Sequence, residues 1–86
     1  MSDPKLLTSN KLEDTLLDII VCPIDKQPLI YSYIDDINSP ILANIRINKY
    51  YEIKDSIPIL LEEESIDINN NEIEILKRNT IRTTGK

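Results

Sequence analysis

The chain contains no histidine and a single cysteine, Cys22, among its 86 residues. No disulfide can therefore form within one chain, and imidazole is excluded both as a general base and as a metal ligand. One thiol without imidazole also leaves too few ligands for an ordinary structural zinc site. A lone cysteine fits a reducing compartment, so we expect a cytoplasmic protein with no metal and no other cofactor.

Glycine and long apolar runs are equally scarce. The only glycine is Gly85, so the chain has no glycine-rich loop of the kind that binds phosphate groups. No apolar run approaches the length of a membrane-spanning helix, and the first residues do not have the pattern of a signal peptide. Acidic residues outnumber basic ones by 15 to 10, and the net charge of −5 disfavours binding to phosphate backbones. We therefore expect neither a nucleic acid nor a membrane as the main partner.

The first informative stretch is LLDIIVCPIDKQPLIYSY, residues 16–33. Apolar residues at helical spacing predict an amphipathic helix over residues 11–20. A structural turn follows, and its defining residues are Cys22, Pro23, Asp25 and Pro28. The carboxylate of Asp25 can accept a hydrogen bond from a backbone N–H two residues further on, and we expect Cys22 to be a small buried group. β-Branched and aromatic residues then predict a strand over residues 29–34.

The second informative stretch is NKYYEIKDSIPILLEEE, residues 48–64. It predicts two strands, over residues 50–53 and 57–61, joined by a tight turn. Residues 41–43 predict a further short strand. Because Pro58 lacks a backbone donor, the strand that contains it is expected at a sheet edge, at a first position or at a bulge.

Three consecutive glutamates mark a shift in composition after the second stretch. We expect one domain over residues 1–63 and a semi-ordered or disordered tail over residues 64–86. The apolar strand at residues 57–61 needs a cover, because an exposed apolar edge is prone to aggregation. Isoleucines of the tail or a strand of a partner protein would each supply one, and both alternatives stay open.

In their order and spacing, these two stretches resemble one protein family. The shared pattern is a leucine-rich helix, Cys-Pro at the turn, Pro-Leu opening a strand, then Tyr-x-Ile, a short turn and Ile-Pro-Ile-Leu-Leu. It is similar to the small zinc-ribbon-like activator subunits of tRNA, rRNA and release-factor methyltransferases and to their short bacterial relatives, over residues 12–63. Zinc-binding members have Cys-Pro-x-Cys at the first turn and a second cysteine pair later. Only Cys22 matches a ligand position here, so the chain looks like a zinc-less bacterial branch.

The resemblance implies a small α+β domain without metal, in which an N-terminal helix packs on a three- to four-stranded antiparallel sheet of zinc-ribbon-like type. It further implies a non-catalytic protein that stabilises or activates an S-adenosylmethionine-dependent methyltransferase, because characterised members dock on a methyltransferase domain by strand pairing and apolar packing. The expected partner-binding residues are Leu16, Ile20, Ile57, Pro58, Ile59, Leu60 and Leu61.

Three alternatives stay open. A degenerate zinc ribbon would bind RNA or the translation machinery through a basic face around Arg46, Lys49 and Lys54. A homodimer would form if the edge strands of two copies paired. An enzyme is the third alternative, and it has the weakest basis, because one cysteine without an activating base offers no reactive set of residues.

Overall fold

The computed structural model describes residues 12–35, 37 and 39–85. Lys11, the first residue of the predicted N-terminal helix, lies outside them. In chain order the helices and strands are α1 (Asp14–Leu17), β1 (Ile30–Ser32), β2 (Ile41–Asn44), β3 (Lys49–Lys54), β4 (Ile57–Pro58), β5 (Ile66–Asp67), α2 (Asn70–Arg78) and β6 (Arg82–Thr83). Short 3₁₀ turns cover Ile45–Ile47 and Glu62–Glu64.

The six strands form one antiparallel sheet in the order β4-β3-β2-β1-β6, and β5 also pairs with β3. β4 pairs with the end of β3 and β5 with its start, on the side of β3 opposite β2. These two strands therefore form one sheet edge, interrupted between them by the turn Glu62–Glu64. The predicted α+β class is confirmed. The predicted count of three to four strands is wrong, because β5 and β6 come from residues that the composition assigned to a tail.

Alternate residues of the central strands point to opposite faces of the sheet, as the period of two requires. The first face packs under α1 and its flanking residues, and this first core cluster contains Leu12, Leu17, Ile20, Cys22, Leu29, Tyr31, Leu42, Tyr51 and Ile53. The second face packs under α2, and its core cluster contains Ile41, Ala43, Ile68 and Leu76. The sheet thus separates two apolar clusters, and each is covered by one helix.

α1 is a single turn, so the prediction of an N-terminal helix over residues 11–20 is wrong in length. In a continuing helix the carbonyl of Leu17 would accept a hydrogen bond from Val21. Here it accepts one from the backbone N–H of Gly85 at 2.9 Å instead. The carbonyl of the last residue of α1 is therefore bonded outside the helix, and the main helix of the structure is α2.

The residues after Glu63 supply both α2 and two strands of the sheet. The Glu72 carboxylate accepts the backbone N–H of Asn69 at 3.1 Å, which closes the start of α2. Ser32 donates to the carbonyl of Leu76 at 2.7 Å and so ties β1 to this helix. The predicted division of the chain at residue 63 concerns order in solution and stays a prediction.

Candidate functional site

The turn over residues 22–28, called here the Cys22 turn, is closed by its own backbone. The N–H of Cys22 donates to the carbonyl of Gln27, and the N–H of Lys26 donates to the carbonyl of Cys22, both at 2.9 Å. Lys26 takes a left-handed φ of 60°, which lets the chain reverse. The predicted structural turn therefore forms as a compact loop that points its cysteine inward.

The thiol of Cys22 is fully buried and lies among hydrogen-bond donors. The backbone N–H of Ile24 lies 3.4 Å from Sγ, and the hydroxyl of Tyr51 lies 3.5 Å from it. Burial raises the pKa of the Cys22 thiol, but hydrogen bonds from Tyr51, from the turn's backbone and from Asn44 outweigh it, and the pKa is lowered. Burial is the largest cause that raises the pKa of the Tyr51 phenol, and either group of the Cys22–Tyr51 pair can be the donor.

Asp25 is the polar centre of the Cys22 turn. Its carboxylate accepts the N–H of Gln27 at 3.1 Å, the hydrogen bond two residues on that the sequence predicts. It also accepts the Asn44 amide at 3.1 Å and two bonds from the Arg46 guanidinium, at 2.9 and 3.3 Å. The hydrogen bond from Arg46 is the largest cause that holds the pKa of Asp25 well below its usual range. Arg46 was identified from the sequence only as part of a basic face, and Asn44 was missed.

These residues do not fit the zinc ion of the zinc-binding members that the sequence resembles. Zinc sites of that kind need four thiolate, imidazole or carboxylate ligands. Within the described ranges, no three His, Cys, Asp or Glu side chains lie together in a way that could hold a metal ion. The carboxylate of Asp25 is moreover occupied by the cationic side chain of Arg46, which would repel a second cation.

The expected partner-binding residues divide into buried and exposed groups. Ile20 is buried in the first core cluster, whereas Leu16 and Leu60 are half-buried and pack against that cluster from outside. Ile57 is 60% exposed and Leu61 is 52% exposed. The structure therefore places Leu16 and Leu60 on one apolar cluster and leaves Ile57 and Leu61 open to solvent.

The predicted strand over residues 57–61 is shorter in the structure, where β4 ends at Pro58. Pairing continues for one more bond, from the N–H of Ile59 to the carbonyl of Glu52 at 2.9 Å. The chain then leaves the sheet for the turn Glu62–Glu64. Among the described strands, only β3 pairs with β4, so the outer side of β4 is an open edge. We call residues 57–61 the β4 edge.

Each cation of the basic face considered from the sequence lies close to a carboxylate. Arg46 pairs with Asp25, Lys49 pairs with Asp67, and Lys54 pairs with Glu52. The exposed apolar side chain of Ile19, 73% exposed beside α1, was not singled out from the sequence, because the predicted helix placed it on the core face. In the part of the chain that the structure describes, no helix has the length and apolar character needed to cross a membrane.

Comparison with known proteins identifies relatives that match most of this chain. The model of the Trm112p-like protein family matches residues 13–76. A UPF0434 protein of Hyphomonas neptunium is 36% identical over 70 residues, which is 81% of this chain and 78% of that protein. One of Alcanivorax borkumensis is 38% identical over 61 residues, 71% of this chain and 92% of that protein. One of Saccharophagus degradans is 36% identical over 66 residues, 77% of this chain and 98% of that protein. By these matches, the chain belongs to the Trm112p-like family.

Proposed function

We propose that this protein is a non-catalytic partner that stabilises or activates an S-adenosylmethionine-dependent methyltransferase. The Trm112p-like family is known for activating methyltransferases, and the chain belongs to it. The observation that carries the proposal is the β4 edge, which combines an unpaired strand side with exposed apolar side chains at Ile57 and Leu61.

An open strand edge of this kind can accept a strand of a partner protein. Backbone hydrogen bonds then supply affinity, and pockets for alternate side chains supply specificity. Burial of Ile57 and Leu61 would add about 1–2 kcal/mol each, since both are half-exposed in the isolated chain. Leu16 of α1 and Leu60 of the β4 edge both pack against the first core cluster, which contains Ile20.

The protein would act by mass action. A partner that binds only the folded methyltransferase stabilises it by about 2.7 kcal/mol when present at 100 times its dissociation constant. No catalytic group is required from the activator. In keeping with that role, the thiol of Cys22 is buried out of reach of a substrate.

Paired charges weaken the nucleic-acid alternative. A phosphate backbone would have to compete with carboxylates already bound to Arg46, Lys49 and Lys54. A homodimer through the β4 edge uses the same open strand and stays a prediction. Sedimentation of the isolated protein tests it, because a monomer leaves the edge free for a methyltransferase.

The test is affinity capture of methyltransferases by the tagged protein from its native cells, with two variants beside the wild type. The Ile57→Asp, Leu61→Asp double variant places two charges on the β4 edge. Ile37→Asp is the matched control, because Ile37 is 59% exposed and lies outside this edge. We expect one methyltransferase to be captured by the wild type and by Ile37→Asp and lost with the double variant.

A second measurement tests activation directly. The captured methyltransferase is produced alone and with the protein, and its melting temperature and its affinity for S-adenosylmethionine are compared. Both are expected to rise in the presence of the wild type but not of the double variant. Capture of no methyltransferase, or equal capture by the double variant, would overturn the proposal.

A further inference from the structure

The Cys22 turn is bonded to a distant part of the chain through one carboxylate. Asn44, the last residue of β2, donates to Asp25 Oδ2, and Arg46, two residues later, donates to both oxygens. Arg46 also donates to the carbonyl of Pro28 at 2.9 Å, so it contacts both the middle of the turn and its last residue. We infer that Asp25, Asn44 and Arg46 together close the Cys22 turn onto the end of β2, in place of a metal ion. The protein then folds without zinc.

The geometry suits a guanidinium better than a metal. The planar fork of Arg46 matches a carboxylate bidentately, which fixes direction as well as distance. The two side chains are 47% and 26% exposed, so the pair is partly shielded from water. A cation that took Asp25 as a ligand would have to displace Arg46 and remain next to its positive charge.

Asn44 shows that the available donor set is wrong for zinc. Its side chain is buried, its Nδ2 atom donates to Asp25, and its Oδ1 atom has no hydrogen-bond partner among the described residues. An amide oxygen is a hard ligand, whereas the thiol of Cys22 is soft, and together they do not make the thiolate-rich set that zinc prefers. Because the amide is oriented so that Nδ2 donates to Asp25, its Oδ1 atom points away from that carboxylate and has no hydrogen-bond partner among the described residues.

The thiol of Cys22 has a packing role in this arrangement. Sγ accepts a hydrogen bond from the backbone N–H of Ile24, shares one with the hydroxyl of Tyr51, and lies in the first core cluster. The inference is independent of the proposed function, because it concerns how the chain folds and not what the β4 edge binds.

The experiment measures zinc content and a double-mutant cycle on the same preparations. The protein is expressed with added zinc, zinc per chain is measured by plasma mass spectrometry, and urea unfolding is recorded with and without EDTA. Unfolding is then compared for the wild type, Asp25→Asn, Arg46→Met and the double variant. Lys49→Met is the matched control, because Lys49 pairs with an exposed carboxylate, that of Asp67, elsewhere in the sheet.

We expect less than about one zinc per ten chains and no effect of EDTA, as follows from the missing ligands. Asp25→Asn and Arg46→Met should each raise the unfolding equilibrium constant roughly 3- to 10-fold. The double variant should raise this constant no more than the larger single change does. Lys49→Met should raise it less than about 2-fold. One zinc per chain with unfolding in EDTA would overturn the inference, and so would additive effects of the two substitutions. If Arg46→Met does not fold, Arg46→Lys takes its place in the cycle and should give a smaller loss, since lysine keeps the charge but not the fork.

Discussion

The Cys22 turn and the β4 edge are both short segments with proline, and the structure treats them in opposite ways. At the Cys22 turn, the thiol is fully buried and the carboxylate of Asp25 receives bonds from three other residues. At the β4 edge, apolar side chains face solvent and one side of the strand is unpaired. The polar groups of the Cys22 turn are therefore bonded within the chain, whereas the apolar side chains of the β4 edge are not buried by it.

This contrast separates stability from binding in a small domain. A chain of this size buries a limited core, so contacts that close a loop contribute a large share of its stability. A strand edge that is unpaired on one side, with side chains open to solvent, contributes less to stability. Four predictions test this division. Two compare a position tied into the core or the Cys22 turn with one at the surface, and two test single contacts that involve the Cys22 turn or Leu29, the residue after it.

The largest difference is expected between two leucines. Leu29 directly follows the Cys22 turn and is fully buried, whereas Leu61 of the β4 edge is half-exposed. Leu29→Ala should lower the free energy of unfolding by about 2–5 kcal/mol through lost packing and a cavity. Leu61→Ala should change it by less than about 0.5 kcal/mol. Urea unfolding of both variants measures this, and equal losses would show that the edge is part of the folded core.

The next prediction concerns Thr84, near the C-terminus. Its hydroxyl accepts the backbone N–H of Leu29 at 2.8 Å, and both residues are buried. Thr84→Val leaves that N–H without an acceptor and should cost about 1–3 kcal/mol of unfolding free energy. Thr84→Ser keeps the hydroxyl and is the control. If both variants unfold like the wild type, the last residues are a loose tail, as the composition suggests, and do not hold the Cys22 turn.

A smaller loss of unfolding free energy is expected when the Asp25 carboxylate is protonated at low pH. Hydrogen bonding from Arg46 lowers the pKa of Asp25 in the folded chain, while the unfolded value is about 3.9. Near pH 4 the unfolded chain therefore binds more protons than the folded chain. The stabilisation by the Asp25 carboxylate is present above about pH 4 and is lost as the pH falls below that value. Unfolding of the wild type and of Asp25→Asn is compared between pH 6 and pH 2.5. The difference in unfolding free energy between the wild type and Asp25→Asn should become smaller towards low pH. A difference that stays constant would contradict the lowered pKa of Asp25.

Much of the sheet was predictable from local patterns. Alternating β-branched and aromatic residues predicted β1, β2 and β3 to within one or two residues at most ends. The turn between β3 and β4 was also predicted, and it has Asp55 and Ser56 with φ of 52° and 62°. Such turns usually contain glycine or asparagine, so the spacing of the two strands predicted this turn better than its residue types did.

What local patterns missed depends on contacts distant in sequence. The last residue of α1, Leu17, accepts a hydrogen bond from Gly85, and β6 pairs with β1. The partner of Asp25 could not be inferred, since Arg46 lies on a 3₁₀ turn whose orientation is fixed only when β2 and β3 pair. The sequence predicted a turn at Cys22 and the burial of its thiol, and both are seen, whereas the strand predicted over residues 57–61 ends at Pro58.

The smallest effect is predicted for Lys54, at the hairpin that leads into the β4 edge. Its ammonium group lies 3.8 Å from the Glu52 carboxylate, and both side chains are largely exposed. Such a pair contributes little, because water screens it and two long side chains must be ordered, so Lys54→Met should change the free energy of unfolding by less than about 0.5 kcal/mol. Arg46→Met, measured in the same urea series, should cost clearly more, because it also removes the bond to Pro28. Equal losses would mean that the Cys22 turn is held no more firmly than the edge. A clear difference would mean that the polar contacts that stabilise this chain are concentrated at the Cys22 turn and not at the hairpin before the β4 edge.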